Sequence, residues 1–573
     1  MITIPNDAPF DDKQKAWLED FFKQQIEPLI KGGVAAPMGP AVPVTVLFGS
    51  QTGNAEGIAK KLAKKFSKLN FVVTVIDLAD YEVEQLANED KVLIITSTYG
   101  DGEPPDSAAD FHEALMADSA PSLEHISYSV LSLGDTEYPD FCQCGIEFDE
   151  RFSELGAVAV VPRVDCDVEY ESLAQKWQND LLDIWGGAQQ VLVEEDEEEL
   201  GYSKTNPFPA KVLNMYNLNS DDAEKETYHI ELSLEGSELT YEVGDALGVY
   251  PRNDEAVVDE LMAAFPFNIN SDVELSSGKE VSLREALIEH YDITNLNVNL
   301  VKAWQARSGS PYLRSLVEAK DDKLIENFCW GRNLIDLAKE YPADFSDAED
   351  VLELLKKLQP RLYSISSSPY VHEGQVHLTI AIVRYHTYDR QRGGVCSTYF
   401  SDRVEGQSPR VYVHENKAFR LAASSDDPLI MVGPGTGIAP FRAFLEQREY
   451  DKVSGDNWLF FGNPHEATDY LYQDQLAKYQ SSGLLTKLST AFSRDQDHKI
   501  YVQDRMREQG SELWSWLEKG AYFYVCGDAS RMAKDVDKAL HDVIAEHGKM
   551  SADEAVAYVK KMKKDKRYSR DVY

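Results

Sequence analysis

An apolar strand, Val44–Phe48, runs into Gly49-Ser50-Gln51-Thr52-Gly53-Asn54-Ala55. A hydroxyl- and glycine-rich loop at a helix N-terminus is an anion site, because first-turn N–H groups and the helix dipole point at it. Ser50, Thr52 and Asn54 add side-chain donors, and Gly53 lets the backbone approach closely. No Gly-Lys-Ser or Gly-Lys-Thr follows, so this is not the P-loop of a nucleotide hydrolase. A lysine-free loop suits one terminal phosphate. Two more loops follow later strands: Thr96-Ser97-Thr98-Tyr99-Gly100-Asp101-Gly102-Glu103 and Leu133-Gly134-Asp135-Thr136-Glu137-Tyr138. Ligands of open α/β sheets lie off the carboxyl ends of strands. Tyr99 and Tyr138 each offer a face on which a flat ring can stack.

A second group of motifs lies far along the chain. Arg361-Leu362-Tyr363-Ser364 combines a guanidinium fork for a diphosphate, an aromatic face and a hydroxyl. Gly394-Val395-Cys396-Ser397 reads as a glycine-opened helix start suited to pyrophosphate. Gly433-Pro434-Gly435-Thr436-Gly437 follows the apolar strand Leu429–Val432 and lets another pyrophosphate lie on the next helix. Ser493, Arg494, Lys499 and Tyr501 supply a hydroxyl, a guanidinium, an ammonium and a phenol, a set suited to a dianionic phosphomonoester. Tyr524-Val525-Cys526-Gly527-Asp528 ends another strand, and the sequence closes on Tyr568-Ser569-Arg570-Asp571-Val572-Tyr573.

Positioning these groups takes several domains, and 573 residues are too many for one core. Residues 8–31 carry a helical apolar face through Trp17, Leu18, Phe21, Phe22, Ile26 and Leu29, and the glycine- and proline-rich stretch 31–40 reads as a linker. That face can pack on its own domain or on another subunit. Over 44–187, strands at Val44–Phe48, Val72–Ile76, Val92–Thr96, Tyr128–Leu133 and Val158–Val161 alternate with helices, the rhythm of a doubly wound parallel sheet. Residues 188–205 hold the acidic run Glu194–Glu199, which cannot pack and is expected to be a hinge. Residues 206–253 and 358–425 are β-rich, with 243–249 a turn between strands and strand character over Leu362–Ile365 and Val376–Tyr385; 254–357 are helical, an insertion. Residues 426–573 return to βα alternation. The fold class is therefore α/β multidomain.

The net charge of −41 argues against nucleic acid, whose phosphates demand a basic surface, and fits docking onto basic partners. Six cysteines with no Cys-x-x-Cys spacing point to neither a disulfide scaffold nor a metal site. No apolar run approaches the ~20 residues of a membrane span, and the first residues lack a signal-peptide pattern. The cytoplasm is the expected location, with no membrane partner.

The first three loops, in this order, resemble the flavodoxin family. The later motifs resemble the ferredoxin–NADP reductase family: an antiparallel FAD barrel and an α/β NADP domain. From residue 44 onward the chain resembles the diflavin reductases. Within them it is most similar to the flavoprotein-subunit family of NADPH-dependent assimilatory sulfite reductase, through Thr98–Pro105, Tyr472-Gln473, Tyr501–Asp504, Glu508-Gln509-Gly510 and Arg567–Tyr573. Residues 1–43 match that family's assembly region only through the Trp17-Leu18 helix. The resemblance implies FMN, FAD and NADPH as cofactors. FMN falls to Ser50–Ala55, Ser97–Gly100, Leu133, Gly134, Asp135, Tyr138, Phe141 and Cys142, its ring between Tyr99 and Tyr138. FAD falls to Arg361, Leu362, Tyr363, Ser364, Thr379, Ile380, Ala381, Tyr385, Gly394, Val395, Cys396 and Ser397. NADPH falls to Gly435, Thr436, Ser493, Arg494, Lys499, Ile500, Tyr501, Val502, Gln503 and Asp535. Tyr573 would cover the FAD ring, and Ser364, Cys526 and Asp571 would align hydride transfer. The implied partner is a sirohaem and iron–sulfur hemoprotein that reduces sulfite to sulfide. Another haem acceptor, a nitrate or nitrite reductase or a monooxygenase, is the alternative.

Overall fold

A computed structural model describes residues 42–573 apart from 51–52, 70, 101, 137, 139, 187–200, 266–270 and 276–277. The expected N-terminal helix, its linker and the acidic run 194–199 lie outside the described residues. The chain divides into two compact units between Val191 and Leu192.

In the first unit six strands form one parallel sheet: β1 Val42–Gly49, β2 Phe71–Asp77, β3 Lys91–Ser97, β4 Ser127–Leu133, β5 Val158–Ala159 and β6 Val164–Cys166. The order is β2-β1-β3-β4-β5, with β6 also on β4. Near-continuous apolar runs such as Val92-Leu93-Ile94-Ile95, all buried, are what a sheet covered on both faces requires. Alternation sends Val44, Val46, Leu93 and Ile95 to one core, with Phe66 and Trp177, and Leu47, Val92 and Ile94 to another, with Phe111 and Phe148. The order reverses between β1 and β3, which leaves a crevice at their carboxyl ends. The strand expected over Val158–Val161 pairs only through Ala159, and the chain pairs again at Val164.

The second unit starts with two antiparallel sheets. One runs Arg361–Ser364, Ala246–Tyr250, Arg410–His414, Phe208–Pro209; the other runs Gln375–Ala381, Thr227–Ser233, Lys211–Asn217. An Ile365–Leu378 bridge joins them around Ile230, Leu247, Val249, Val376, Leu378 and Phe400. The turn expected over 243–249 is shorter. Ala246–Tyr250 is a strand flanked on both sides, and only Val243-Gly244-Asp245 turns. The strand expected over Val376–Tyr385 breaks after Ala381 and restarts at Arg384. Within 254–357, helices begin at Asp254, Ser282, Asn297, Ser310, Asp321 and Asp347, whose side chains each accept a first-turn N–H. They pack around buried Trp304, and the hairpin Asp272–Glu274/Glu280–Ser282 interrupts them. The last five strands make a parallel sheet ordered Lys487–Phe492, Asn457–Asn463, Leu429–Val432, Tyr522–Gly527, Tyr568–Val572.

This sheet's helix Ala439–Asp451 meets the outer face of the barrel in a polar seam. Arg442 bonds the Ser366 carbonyl and pairs with buried Glu446, which accepts from Ser368 N. His229 Nδ1 lies 2.9 Å from the Tyr472 hydroxyl, and Tyr472 bonds Thr379 at 2.6 Å. Ligand atoms of His229, Glu231 and His377 fall within 4.8 Å of one another, but Arg442 already supplies positive charge beside both imidazoles.

Candidate functional site

In the first unit the phosphate loop leaves β1 where the sheet order reverses. Gly53 sits at φ +81°, a conformation that favours glycine, with open space around its Cα. Among the described residues no side chain caps the helix Asn54–Ser67, so its N-terminus suits an anion. Ser50 N donates to Ser107 Oγ at 3.1 Å, and Tyr170 reaches Asn54 Oδ1 at 3.4 Å. Gln51 and Thr52 lie outside the described residues. The second loop closes as a Tyr99–Glu103 hairpin, with Thr98 N bonded to Leu133 O. The third is pinned by Thr136 on Asp167, and Tyr138 is exposed. Gly134 has no room for a side chain, since a Cβ there would lie 2.9 Å from Cys142 N. The Cys142 thiol is buried against Cys166 O, and burial pushes it up to about 12. These donors, this glycine turn and two tyrosines fit a flavin mononucleotide.

On the barrel, Arg361 and Tyr385 are exposed, and Tyr363 is half-buried beside Cys396. Gly394 opens the short helix Val395–Thr398, and a Cβ there would meet Ser397 Oγ at 2.9 Å. A guanidinium, two phenols and this glycine corner fit a dinucleotide diphosphate. Of the expected FAD residues, Ile380 has its side chain in the barrel core, and the Thr379 hydroxyl bonds Tyr472 in the seam. Ala381 is exposed at the strand end.

Three residues far apart in sequence converge. Ser364 ends its barrel strand and donates to Asp571 Oδ2 at 2.5 Å, and Cys526 Sγ lies 3.8 Å from the same oxygen. Cys526 and Asp571 are register partners on neighbouring parallel strands. Burial, then the Asp571 charge, pushes the Cys526 thiol well above its usual range. Burial also raises Asp571, against the lowering effect of bonds from Ser364 and Cys526. The thiol is therefore a neutral donor rather than a nucleophile. Gly437 makes this corner possible: a Cβ there would lie 2.1 Å from Cys526 O. Asn416, which the motifs do not single out, points Nδ2 at Asp571 Oδ1 from 3.5 Å, while its N–H is held by Asp245.

The pyrophosphate loop forms a single 3-10 turn, Gly435–Ile438, before the helix Ala439–Asp451. Gly435 is at φ +59° facing open space. Arg494, Lys499 and Tyr501 are exposed, a cation and phenol set that fits a phosphomonoester. Arg494 pairs with Glu224 at 3.0 Å, a carboxylate the motifs gave no reason to expect. Val502 and Gln503 turn inward instead, and Gln503 bonds Asp535. Ile500 is half-buried.

Three family models match: flavodoxin over 46–177, an FAD binding domain over 201–399, and an oxidoreductase NAD-binding domain over 431–538. The chain is 43% identical over 98% of its length to the sulfite reductase [NADPH] flavoprotein alpha-component of Bacillus subtilis, covering 96% of that protein. It is 44% identical to the protein of that name from Shewanella oneidensis, with 92% of this chain and 89% of that one covered. It is 42% identical to that of Salmonella typhi over 98% and 95%. At this identity and coverage, with the trio of Ser364, Cys526 and Asp571 assembled, the chain belongs to the family of NADPH-dependent sulfite reductase flavoprotein alpha-components.

Proposed function

We propose that this protein oxidises NADPH and passes electrons, through FAD and then FMN, to a sirohaem and iron–sulfur hemoprotein that reduces sulfite to sulfide. The observation that carries it is the convergence of Ser364, Cys526 and Asp571 beside the Gly435–Gly437 turn. When bound, FAD accepts a hydride from NADPH and FMN releases electrons singly, which suits a six-electron acceptor. The residues orient and tune. Asp571 accepts from Ser364 and Cys526, which fixes both donors in one direction. Cys526, buried and protonated, presents a neutral sulfur without bonding covalently. Arg494, Lys499, Ser493 and Tyr501 hold the 2′-phosphate, and Gly435 and Thr436 the pyrophosphate. Arg361, Tyr363, Tyr385 and the Gly394–Ser397 corner hold FAD, and the loops at 50–55, 97–100 and 133–142 hold FMN.

The domain reading that goes with this is an FMN domain over 44–187, a hinge over 188–205, an FAD barrel over 206–253 and 358–425, a connecting insertion over 254–357, and an NADP domain over 426–573. No helix among the described residues is long and apolar enough to cross a membrane. Residues 1–43 are the proposed self-association segment. The test is sulfide production from sulfite and NADPH by the protein mixed with a sirohaem sulfite reductase subunit. Sulfide that requires both components supports the reading. No sulfide, while NADPH still reduces cytochrome c, would send the electrons to another acceptor.

A further inference from the structure

Both oxygens of the Asp571 carboxylate are reached from the barrel, by two different strands. Ser364 donates to Oδ2, which Cys526 also approaches, and Asn416 points Nδ2 at Oδ1 from 3.5 Å. Ser364 ends the strand Arg361–Ser364, and Asn416 lies just past the strand Arg410–His414. These strands flank Ala246–Tyr250, where Ala246 is the register partner of both Ser364 and His414. Buried Asp245 beside it braces both arms. Its carbonyl accepts from Ile365 N at 3.0 Å, and its carboxylate accepts from Asn416 N at 2.9 Å. The Asn416 carbonyl accepts from Phe419 N, so the backbone of Asn416 is fixed on both sides. None of these bonds uses its side chain.

We propose that Asn416 is a positioning residue for hydride transfer, one that grips Asp571 Oδ1 and keeps Oδ2 turned to Ser364 and Cys526. This rests on the hydride-transfer reading above. The torsion that turns an aspartate carboxylate is broad, so a group held by one oxygen swings and one held by both does not. The 3.5 Å separation is long, as hydrogen bonds at such sites often are before a ligand arrives. Burial raises Asp571 against the bonds from Ser364 and Cys526, and a third donor on Oδ1 favours the carboxylate in the same way. Among the described residues the titratable groups that face Asp571 are Cys526 and Tyr573, both raised by burial, and Tyr573 holds Thr436 Oγ1 at 2.7 Å. On the backbone side of Asn416, Asp245 pairs with Arg420, which also meets Glu242 and Glu415.

The experiment reads the Cys526 S–H stretching band by infrared spectroscopy on the flavin-loaded protein without nucleotide, isolated as the difference from Cys526→Ala. Stopped-flow bleaching of the flavin by NADPH is followed beside it over a range of pH. Asn416→Leu keeps the shape and removes the donor. It is expected to move the S–H band toward that of a free thiol and to slow bleaching about tenfold, the order of one bond to a charged group, with NADP+ affinity unchanged. Asn416→Asp also keeps the shape, but its carboxyl donates to Asp571 only while the pair shares a proton. Its band and rate are expected to approach the wild type at low pH and those of Asn416→Leu at high pH. A wild-type band and rate in Asn416→Leu, or an Asn416→Asp protein without that reversal, would overturn the role. Failure of NADPH to bleach the wild type would instead overturn the hydride-transfer reading, and the role with it.

Discussion

Arg494, proposed above to hold the 2′-phosphate, pairs in this structure with Glu224 across 270 residues of sequence. Arg494→Ala is expected to raise KM for NADPH by tenfold or more and to leave NADH nearly unchanged, since charge-assisted bonds to the 2′-phosphate are lost. Glu224→Gln removes the competing carboxylate. Both side chains are largely exposed, so the gain is small, about two- to fivefold in KM for NADPH, and it vanishes at high salt. Steady-state kinetics with both nucleotides at two ionic strengths checks both. The motifs revealed the cation cluster because several donors of one type crowd a short stretch of a strongly acidic chain. Glu224 gave no signal, because an isolated acidic loop residue looks the same whether or not it meets an arginine.

At the scale of elements, the corner where the Gly435–Ile438 turn meets the strand Tyr522–Gly527 is the tightest packing near the trio. Gly437→Ala would drive a Cβ into the Cys526 carbonyl. Overpacking of this kind costs about 1–3 kcal/mol. The expected outcome is a folded protein whose flavin is bleached by NADPH much more slowly, read by stopped-flow absorbance, because Cys526 moves relative to Asp571. In the helical insertion, Trp304 is fully buried against Phe265 and Phe345 and donates to Tyr341 O at 2.8 Å. Trp304→Ala is expected to cost about 3–5 kcal/mol. In calorimetry the transition of the second unit should fall while that of the flavodoxin unit stays. The helical character of this insertion was legible in the sequence, whereas its separate starts at Asp, Ser and Asn emerge only in the structure. The strand Ala246–Tyr250 was not legible, because its glycine-rich start reads as a turn until neighbours on both sides claim its hydrogen bonds.

For the molecule as a whole, the seam sets an acid limit. His229 and His377 are 1% and 2% exposed. Burial, reinforced by Arg442 and by neighbouring imidazoles, lowers them to about 3 and about 2. Glu231, Glu446, His372 and Tyr472 face the same cluster. Both histidines are neutral when folded, while the unfolded chain takes up their protons below about 6.5. Stability is thus complete above that value and falls as pH drops, by up to about 1.4 kcal/mol per pH unit for each histidine. His541, raised by Asp537, acts in the opposite sense: its contribution is present below 6.5 and lost as pH rises. Carboxylates held low enter only nearer their own range, and His290, lowered chiefly by burial, adds to the slope in the same sense, so the buried histidines together dominate it from about pH 6.5 to 5. Denaturant midpoints over that interval should fall steeply in wild type and flatten in His229→Gln/His377→Gln, whatever the variant's absolute stability.

By itself the sequence determined the parts list and their order: strand–loop–helix alternation, the helical insertion, and the glycine turns. Those depend on local chemistry, the reach of a backbone N–H or the φ a glycine permits, and neighbours in sequence suffice to express it. Tertiary structure alone decided which side chains meet. Ser364, Cys526 and Asp571 come from three strands, and their contact exists only because two parallel strands stand in register and a barrel strand ends beside them. The same packing turned Ile380 into the core and gave the Thr379 hydroxyl to Tyr472. It also set Asn416 on Asp571, Glu224 on Arg494 and Thr436 on Tyr573. Such pairings depend on burial and on distances across the fold, and no local pattern of residues encodes them.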